Sequence, residues 1–259
     1  MVKKNNLDDI IEVVKRLRHP KKGCPWDIQQ TSKSLSKYTL EEAYEVVEAI
    51  EKGNTSELED ELGDLLLHIV FQATIASEKK LFDFDELAKK INEKLVDRHP
   101  HIFDENFNGD DQSKAKNWEL NKKIEKNRQS ILDGMPKSLS SLIVSQRYQD
   151  KTAAVGFEWD NYEQAMYKVE EELNELKIAI KNDDKKNIDE EIGDLLITIV
   201  NLSRFFSISA ELALKKSNHK FYTRFNYIEK IVEKNNQKME DISLKELLNY
   251  WNDAKDKEK

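Results

Sequence analysis

Apolar positions recur at helical spacing along nearly the whole chain, and turn-forming residues punctuate them. Leu7, Ile10, Ile11, Val14 and Leu17 predict an opening helix over 6–18. The segment from His19 to Pro25, with two prolines and a glycine, breaks it ahead of Trp26. A helix from near Thr39, with Thr39 and Glu42 as a capping box, is expected to stop at Gly53. Ser56 with Glu59 predicts the start of the next, which runs to about Ser77, and a further helix covers 84–98. His99 to Asp111 reads as a loop, 113–130 as a polar helix, and Asp133-Gly134-Met135-Pro136 as a boundary. Asp160 with Glu163 predicts another start, and 225–259 continue as helices with Leu244, Leu247, Leu248 and Trp251 on one stripe.

Two stretches depart from ordinary amphipathic patterning. Glu61-Leu-Gly-Asp-Leu-Leu-Leu-His-Ile-Val70 and Glu191-Ile-Gly-Asp-Leu-Leu-Ile-Thr-Ile-Val200 are apolar on most of their circumference, which predicts burial on several sides. Each nevertheless carries a Glu and an Asp three residues apart on one face, with a glycine between them. The helix before each carries Glu-Glu-x-x-Glu, as Glu41, Glu42 and Glu45 and as Glu171, Glu172 and Glu175. All five acidic positions repeat at an offset of 130 residues. Lys89, Lys90, Asn92, Lys94 and Arg98 repeat as Lys215, Lys216, Asn218, Lys220 and Arg224 at an offset of 126, and Trp26-Asp27 and Trp159-Asp160 precede the two units. Such register across separate landmarks indicates an internal duplication.

Composition narrows the function. The 259 residues suffice for one large domain or two of ordinary size, and only 7 Gly and 4 Pro are consistent with long helices. A net charge of -8 argues against nucleic acid as the partner. Cys24 is the single cysteine, so no intramolecular disulfide can form and a reducing compartment is expected. There is no signal-peptide pattern, and no apolar run approaches the roughly 20 residues needed to span a bilayer. A soluble cytoplasmic protein with no membrane partner is expected.

Two antiparallel helices joined by a short turn would gather four or five carboxylates into one patch. At about 4 Å and an effective dielectric near 20, each like-charged pair across the helices would cost about 4 kcal/mol. A divalent cation would neutralise the cluster, and an all-oxygen ligand set selects a hard ion, Mg²⁺ with Mn²⁺ as a substitute. A solvated acidic face with glycines placed for close helix packing is the alternative. First-turn acids favouring the helix dipole would explain Glu41 and Glu42 behind a Thr39 cap, but not Glu171 and Glu172 about three turns into theirs. A di-iron site would require Glu-x-x-His pairs, whereas the i+3 partner here is Asp both times. His19, His68, His99, His101 and His219 share no ligand spacing. Lys220 and Arg224, at i,i+4, are candidates for phosphate contact beside such a patch. No P-loop and no partnered nucleophile is present, and among Trp26, Trp118, Trp159 and Trp251 only Trp251 is kept as a base-stacking candidate.

Several of these motifs together resemble the MazG family. Gly23-Cys24-Pro25-Trp26-Asp27, Tyr38-Thr39-Leu40-Glu41-Glu42-Ala43-Tyr44-Glu45, Glu61-Leu62-Gly63-Asp64 and Arg98-His99-Pro100-His101 are similar to its first unit. Val155-Gly156-Phe157-Glu158-Trp159, Glu171-Glu172-x-x-Glu175, Glu191-Ile192-Gly193-Asp194 and Lys220-Phe221-x-x-Arg224-Phe225 are similar to its second. The resemblance implies an all-α fold of two tandem units that contribute to four-helix-bundle packing in a homodimer. It places a first unit at 1–110, a connector at 111–136 and a second, mainly catalytic unit at 137–259. It implies Mg²⁺-dependent hydrolysis of nucleoside triphosphates, deoxy forms included, between the α and β phosphates, in the service of nucleotide-pool control. On this likeness Glu172, Glu175, Glu191 and Asp194 would hold the metal and Glu171 would help ligate or orient water. Lys220, Arg224 and Trp251 would contact the nucleotide. Glu41, Glu42, Glu45, Glu61, Asp64, Lys94 and Arg98 would form a second site in the first unit, although His-Pro follows Arg98 where a helix continues after Arg224. A non-catalytic nucleotide sensor and a purely structural helical dimer remain the competing readings.

Overall fold

A computed structural model describes residues 6–103, 119–120 and 122–258. The expected helix over 113–130 and loop over 99–111 fall partly outside these residues. Every regular element among those described is helical, and the chain divides into two units, Met1–Gly109 and Asp110–Lys259.

In the first unit α1 (Asn6–Leu17), α2 (Pro25–Gln29), α3 (Ser32–Lys52), α4 (Thr55–Glu78), α5 (Phe84–Arg98) and the single turn α6 (Pro100–Phe103) follow one another. The start of α3 corrects the expected cap at Thr39. Thr31 and Ser34 form the capping box instead, and Thr39 lies inside the helix with its hydroxyl donating to the Leu35 carbonyl. Thr31 wins because it is the residue in extended conformation, with φ -120° and ψ 161°. Gly53 ends α3 at φ 67°, as its lack of a Cβ permits, and Asn54, not Ser56, caps α4 by accepting from the Glu57 amide. Val14, Leu35, Val70, Phe71 and Ile75 form the core where α1, α3 and α4 meet.

The second unit contains α7 (Ser141–Ala153), α8 (Tyr162–Lys181), α9 (Lys185–Phe205), α10 (Ala210–Lys234), a 3₁₀ turn (Met239–Asp241) and α11 (Leu244–Lys257). Asn161, one residue after the expected Asp160, caps α8 by accepting from the Gln164 amide. The described part of the expected helix over 113–130 has left helical geometry by Lys126. Lys151 on α7 is almost wholly buried. Its ammonium donates to the Ile131 carbonyl at 2.8 Å, tying the segment before Pro136 to α7, and burial lowers its pKa. Ile228, Val232 and Ile242 form a core with Leu247, Tyr250 and Trp251 packed against it. Leu244 and Leu248, expected on the same stripe as Trp251, are exposed.

α8 packs along α9, as α3 packs along α4, but the expected burial of these helices on several sides is not met within a unit. Val200 is the buried residue of α9, while Ile192, Leu196 and Ile199 stand about half exposed. Their counterparts Leu62, Leu66 and Ile69 on α4 are exposed too. A Cβ at Gly63 or Gly193 would meet nothing within 4 Å, so close packing inside the unit does not account for either glycine. Among the described residues, each helix pair thus keeps an apolar face without a partner.

Candidate metal and nucleotide site

The turn between α8 and α9 folds the second unit's acidic motifs onto each other. Single carboxylate oxygens of Glu172, Glu175 and Glu191 lie within 4.8 Å of one another. Glu172 is 6% exposed although its side chain is a carboxylic acid. One oxygen of Glu191 is buried and accepts no hydrogen bond. Its pKa is raised by desolvation first and then by repulsion from Glu175, Glu172 and Asp194. A buried, unsatisfied carboxylate oxygen among like charges is costly alone and is what an oxygen-loving cation satisfies. Asp194 adds its charge to the group from the same face of α9.

A cation of the chain is already engaged there. The Lys168 ammonium lies 2.9 Å from a Glu172 oxygen and 3.1 Å from one of Glu171, and those hydrogen bonds raise its pKa strongly. Lys168, Glu172 and Asp194 border a cavity of about 420 Å³, whose other walls include Phe157, Trp159 and Asn201. Arg204, with its side chain only 10% exposed, holds the far walls together. It meets Asp150 on α7 at 2.8 Å, Glu158 on the α7–α8 segment at 3.1 Å, and the Asn201 side-chain oxygen at 3.1 Å.

The first unit repeats the carboxylates but not their surroundings. Glu42, Glu45 and Glu61 again bring oxygens within 4.8 Å. Burial, then Glu45 and Asp64, raise the Glu42 pKa, and burial followed by Glu45 and Glu42 raises that of Glu61. Because α3 starts at Ser32, Glu41 and Glu42 lie well inside the helix. The dipole explanation therefore fails for them as it does for Glu171 and Glu172. At this cluster His68 sits 3.5 Å from a Glu42 oxygen. Tyr38 stacks on His68 at 6.3 Å between ring centres, and Trp26 meets Tyr38 edge-on at 6.2 Å.

The expected phosphate ligands form a second constellation, on α10 and α11. Arg224 is clasped by Glu258, at 3.0 Å from Nε and 2.6 Å from Nη2, and its guanidinium lies 5.5 Å from the Trp251 ring centre. That ion pair raises the Arg224 pKa and lowers that of Glu258, with Lys220 adding to the latter effect. Lys220, Arg224 and Trp251 are not among the residues lining the cavity beside the carboxylates. In the first unit Lys94 and Arg98 occupy α5, with Arg98 at its last residue.

Lys168, Asn201 and Arg204 were missed by motif reading, yet the first two had a signal. Lys168 precedes Glu171 and Glu172 at i+3 and i+4. Asp194, Thr198 and Asn201 make a polar seam at i, i+4 and i+7 on an otherwise apolar helix.

The chain is similar in sequence to several known proteins. Residues 30–103 and 160–229 each match the MazG nucleotide pyrophosphohydrolase domain. The chain is 38% identical over 259 residues to a nucleoside triphosphate pyrophosphohydrolase of Escherichia coli K12, covering 98% of both chains. It is 39% identical over 252 residues to the Thermotoga maritima nucleoside triphosphate pyrophosphohydrolase/pyrophosphatase MazG, covering 96% of this chain and 95% of that one. A Bacillus subtilis protein, YabN, is 39% identical over 250 residues, which are 95% of this chain and 51% of its own.

Proposed function

The chain belongs to the MazG family of nucleoside triphosphate pyrophosphohydrolases, and from that premise we propose that it hydrolyses nucleoside triphosphates and their deoxy forms between the α and β phosphates. The products are a nucleoside monophosphate and pyrophosphate, and the role is control of the nucleotide pool in the cytoplasm. The observation that carries this reading is the convergence of Glu172, Glu175 and Glu191 within 4.8 Å beside a cavity that Asp194 and Lys168 also line.

Glu172, Glu175, Glu191 and Asp194 would hold Mg²⁺, or Mn²⁺ in its place; the unsatisfied Glu191 oxygen and the all-oxygen donor set fit such an ion. When bound, the ion supplies Lewis-acid polarisation of the phosphate oxygens. Glu171, beside Glu172 and already held by Lys168, orients the attacking water. Lys168, paired with Glu171 and Glu172, supplies positive charge for the phosphate chain. Lys220 and Arg224 bind phosphate oxygens as a point charge and a fork, and Arg224 must exchange the Glu258 carboxylate for phosphate to do so. Trp251, under that guanidinium, gives the nucleotide an aromatic contact.

We take 137–259 as the mainly catalytic unit, 1–110 as the first unit with its own carboxylate cluster, and 111–136 as the connector. The exposed apolar rows of α4 and α9 support a homodimer in which helix pairs complete four-helix bundles. Product analysis with each ribo- and deoxynucleoside triphosphate, with and without Mg²⁺, tests the activity. Monophosphate and pyrophosphate in equal amounts, formed only with the metal, are expected. Phosphate release without pyrophosphate, or turnover indifferent to chelation, overturns it.

A further inference from the structure

Lys220 and Arg224 are the cations that α10 offers to a phosphate chain, and the fork of Arg224 is already filled by α11. Trp251, Ala254 and Glu258 recur at i, i+3 and i+7, so they share one face of α11 and its closing turn. Ala254 is buried, and Trp251 packs against the core formed by Ile228, Val232 and Ile242. Lys257 adds a cation–π contact, with its ammonium 4.6 Å from the centre of the Tyr227 ring on α10. Contacts at 251, 254 and 257 thus deliver the Glu258 carboxylate to α10.

One oxygen of that carboxylate accepts from both donors on one edge of the guanidinium, Nε at 3.0 Å and Nη2 at 2.6 Å. That edge is the one a phosphate oxyanion would use, and a ring face is turned to Trp251. The Arg224 side chain is 18% exposed and that of Glu258 30%, so the pair is partly sheltered from the water that weakens surface ion pairs. Lys220 also acts on Glu258, adding to the depression of its pKa. Both cations assigned to phosphate therefore already face an anion. The local chemistry of α11 gives no reason for one there. The C-terminal end of a helix carries partial negative charge and disfavours a carboxylate, whereas Lys255 and Lys257 in the last turn suit it. What Glu258 gains, it gains across the hairpin from α10.

We propose that Glu258 is an internal competitor of the substrate, a carboxylate that fills the Arg224 fork in the free protein and that phosphate must displace. The proposal rests on the phosphate role given to Arg224 above and adds the residue that sets how far that cation is available. Affinity for any ligand whose phosphate uses Arg224 is lowered in proportion to the fraction of molecules in which the fork is open. The penalty is the same for every such ligand, so Glu258 weakens capture of substrate and retention of a product that keeps the contact. The return of the carboxylate re-forms the ion pair once the phosphate has left.

Calorimetric titration of the full chain with inorganic tripolyphosphate in Mg²⁺ tests the assignment, on wild type, Glu258→Gln, Arg224→Met and the double variant, alongside pyrophosphate release by wild type. Glu258→Gln keeps the side-chain shape and removes the charge, and it is expected to tighten tripolyphosphate binding by about threefold, the scale of a partly exposed ion pair. Arg224→Met is expected to weaken binding by about tenfold, as for loss of a charge-assisted hydrogen bond. In the Arg224→Met background, Glu258→Gln is expected to change affinity by less than about 1.5-fold, since the fork it guards is gone. Affinity unchanged or weakened by Glu258→Gln, while Arg224→Met still weakens it, overturns the competitor and leaves the phosphate role of Arg224 standing. A merely structural ion pair gives that pattern, with a lowered melting temperature in Glu258→Gln. Equal tightening in both backgrounds also overturns it, because that is a general loss of negative charge. Affinity indifferent to Arg224→Met overturns the phosphate role itself, and the competitor with it. Wild type that releases no pyrophosphate yet shows the expected binding pattern overturns the activity and keeps the competitor.

Discussion

The two units carry the same five carboxylates in the same register and differ in what surrounds them. At an offset of 130 residues, Tyr38 stands where the second unit has Lys168, His68 where it has Thr198, Phe71 where it has Asn201, and Thr74 where it has Arg204. In the first unit these residues make an inward-packed group. Phe71 belongs to the core, Tyr38 packs against that core and stacks on His68, and buried Thr74 turns its hydroxyl onto the Val70 carbonyl. In the second unit the same positions are polar and border a cavity. A cluster fit for a metal is therefore common to both, whereas the polar side chains beside it at these four positions are a property of the second. Duplication preserved the charges; three or four side chains on one face decide what the charges can act upon.

The largest effect that would break this comparison comes from removing one carboxylate in each unit. Glu172→Gln is expected to lower pyrophosphate release by about a hundredfold or more, since even outer partners of a metal site cost about 10–100-fold. Glu42→Gln is expected to leave kcat within about threefold, because His68 lies against its cluster where the second unit's cluster borders a polar-lined cavity. Initial rates with saturating triphosphate and Mg²⁺ decide it. Equal losses in the two variants would mean that the units share one reaction.

Much of this was legible in the chain. Acid spacing, glycines and the repeat were enough to pair α3 with α4 and α8 with α9, because i,i+3 and i,i+4 geometry is local. Helix starts were less legible. Thr31, Asn54 and Asn161 outcompete Thr39, Ser56 and Asp160 as caps, since a cap is chosen by where the backbone becomes extended, and that depends on tertiary packing. The Arg204 network was invisible for a different reason. Asp150 and Glu158 are 54 and 46 residues away in sequence, so no spacing rule joins them.

That network supplies the next test. Arg204→Met removes a guanidinium that neutralises Asp150 and Glu158 and leaves both beside an apolar stem. Stability is expected to fall by about 2–4 kcal/mol, the lower part of the usual range for breaking a buried pair because both acids are about a third exposed. Thr74→Val, at the equivalent place in the first unit, is expected to cost about 1 kcal/mol for one hydrogen bond. Chemical denaturation of both variants sharpens the claim that charge at this position ties α7 and the α7–α8 segment to α9 in the second unit, where a hydroxyl suffices in the first. Similar losses would remove it.

The smallest expected effect concerns protons, and it is common to both units. Glu42 and Glu61 in the first unit and Glu191 in the second have raised pKa values, burial being the first cause and neighbouring carboxylates the next. A raised carboxylate favours its protonated form in the folded state. Its stabilising contribution is complete below the unfolded value and is lost as pH rises through the raised one. Metal-free protein is thus expected to gain melting temperature between pH 7 and pH 5 from these groups, by a few degrees at most. The Glu42→Gln, Glu61→Gln double variant should remove the first unit's share of that slope and Glu191→Gln the second unit's. Saturating Mg²⁺ should flatten the slope in the wild type, since the ion discharges the same repulsion. A slope that neither the variants nor the metal alters would mean that these carboxylates do not strain the folded chain, and would remove the electrostatic reason for a cation at either cluster.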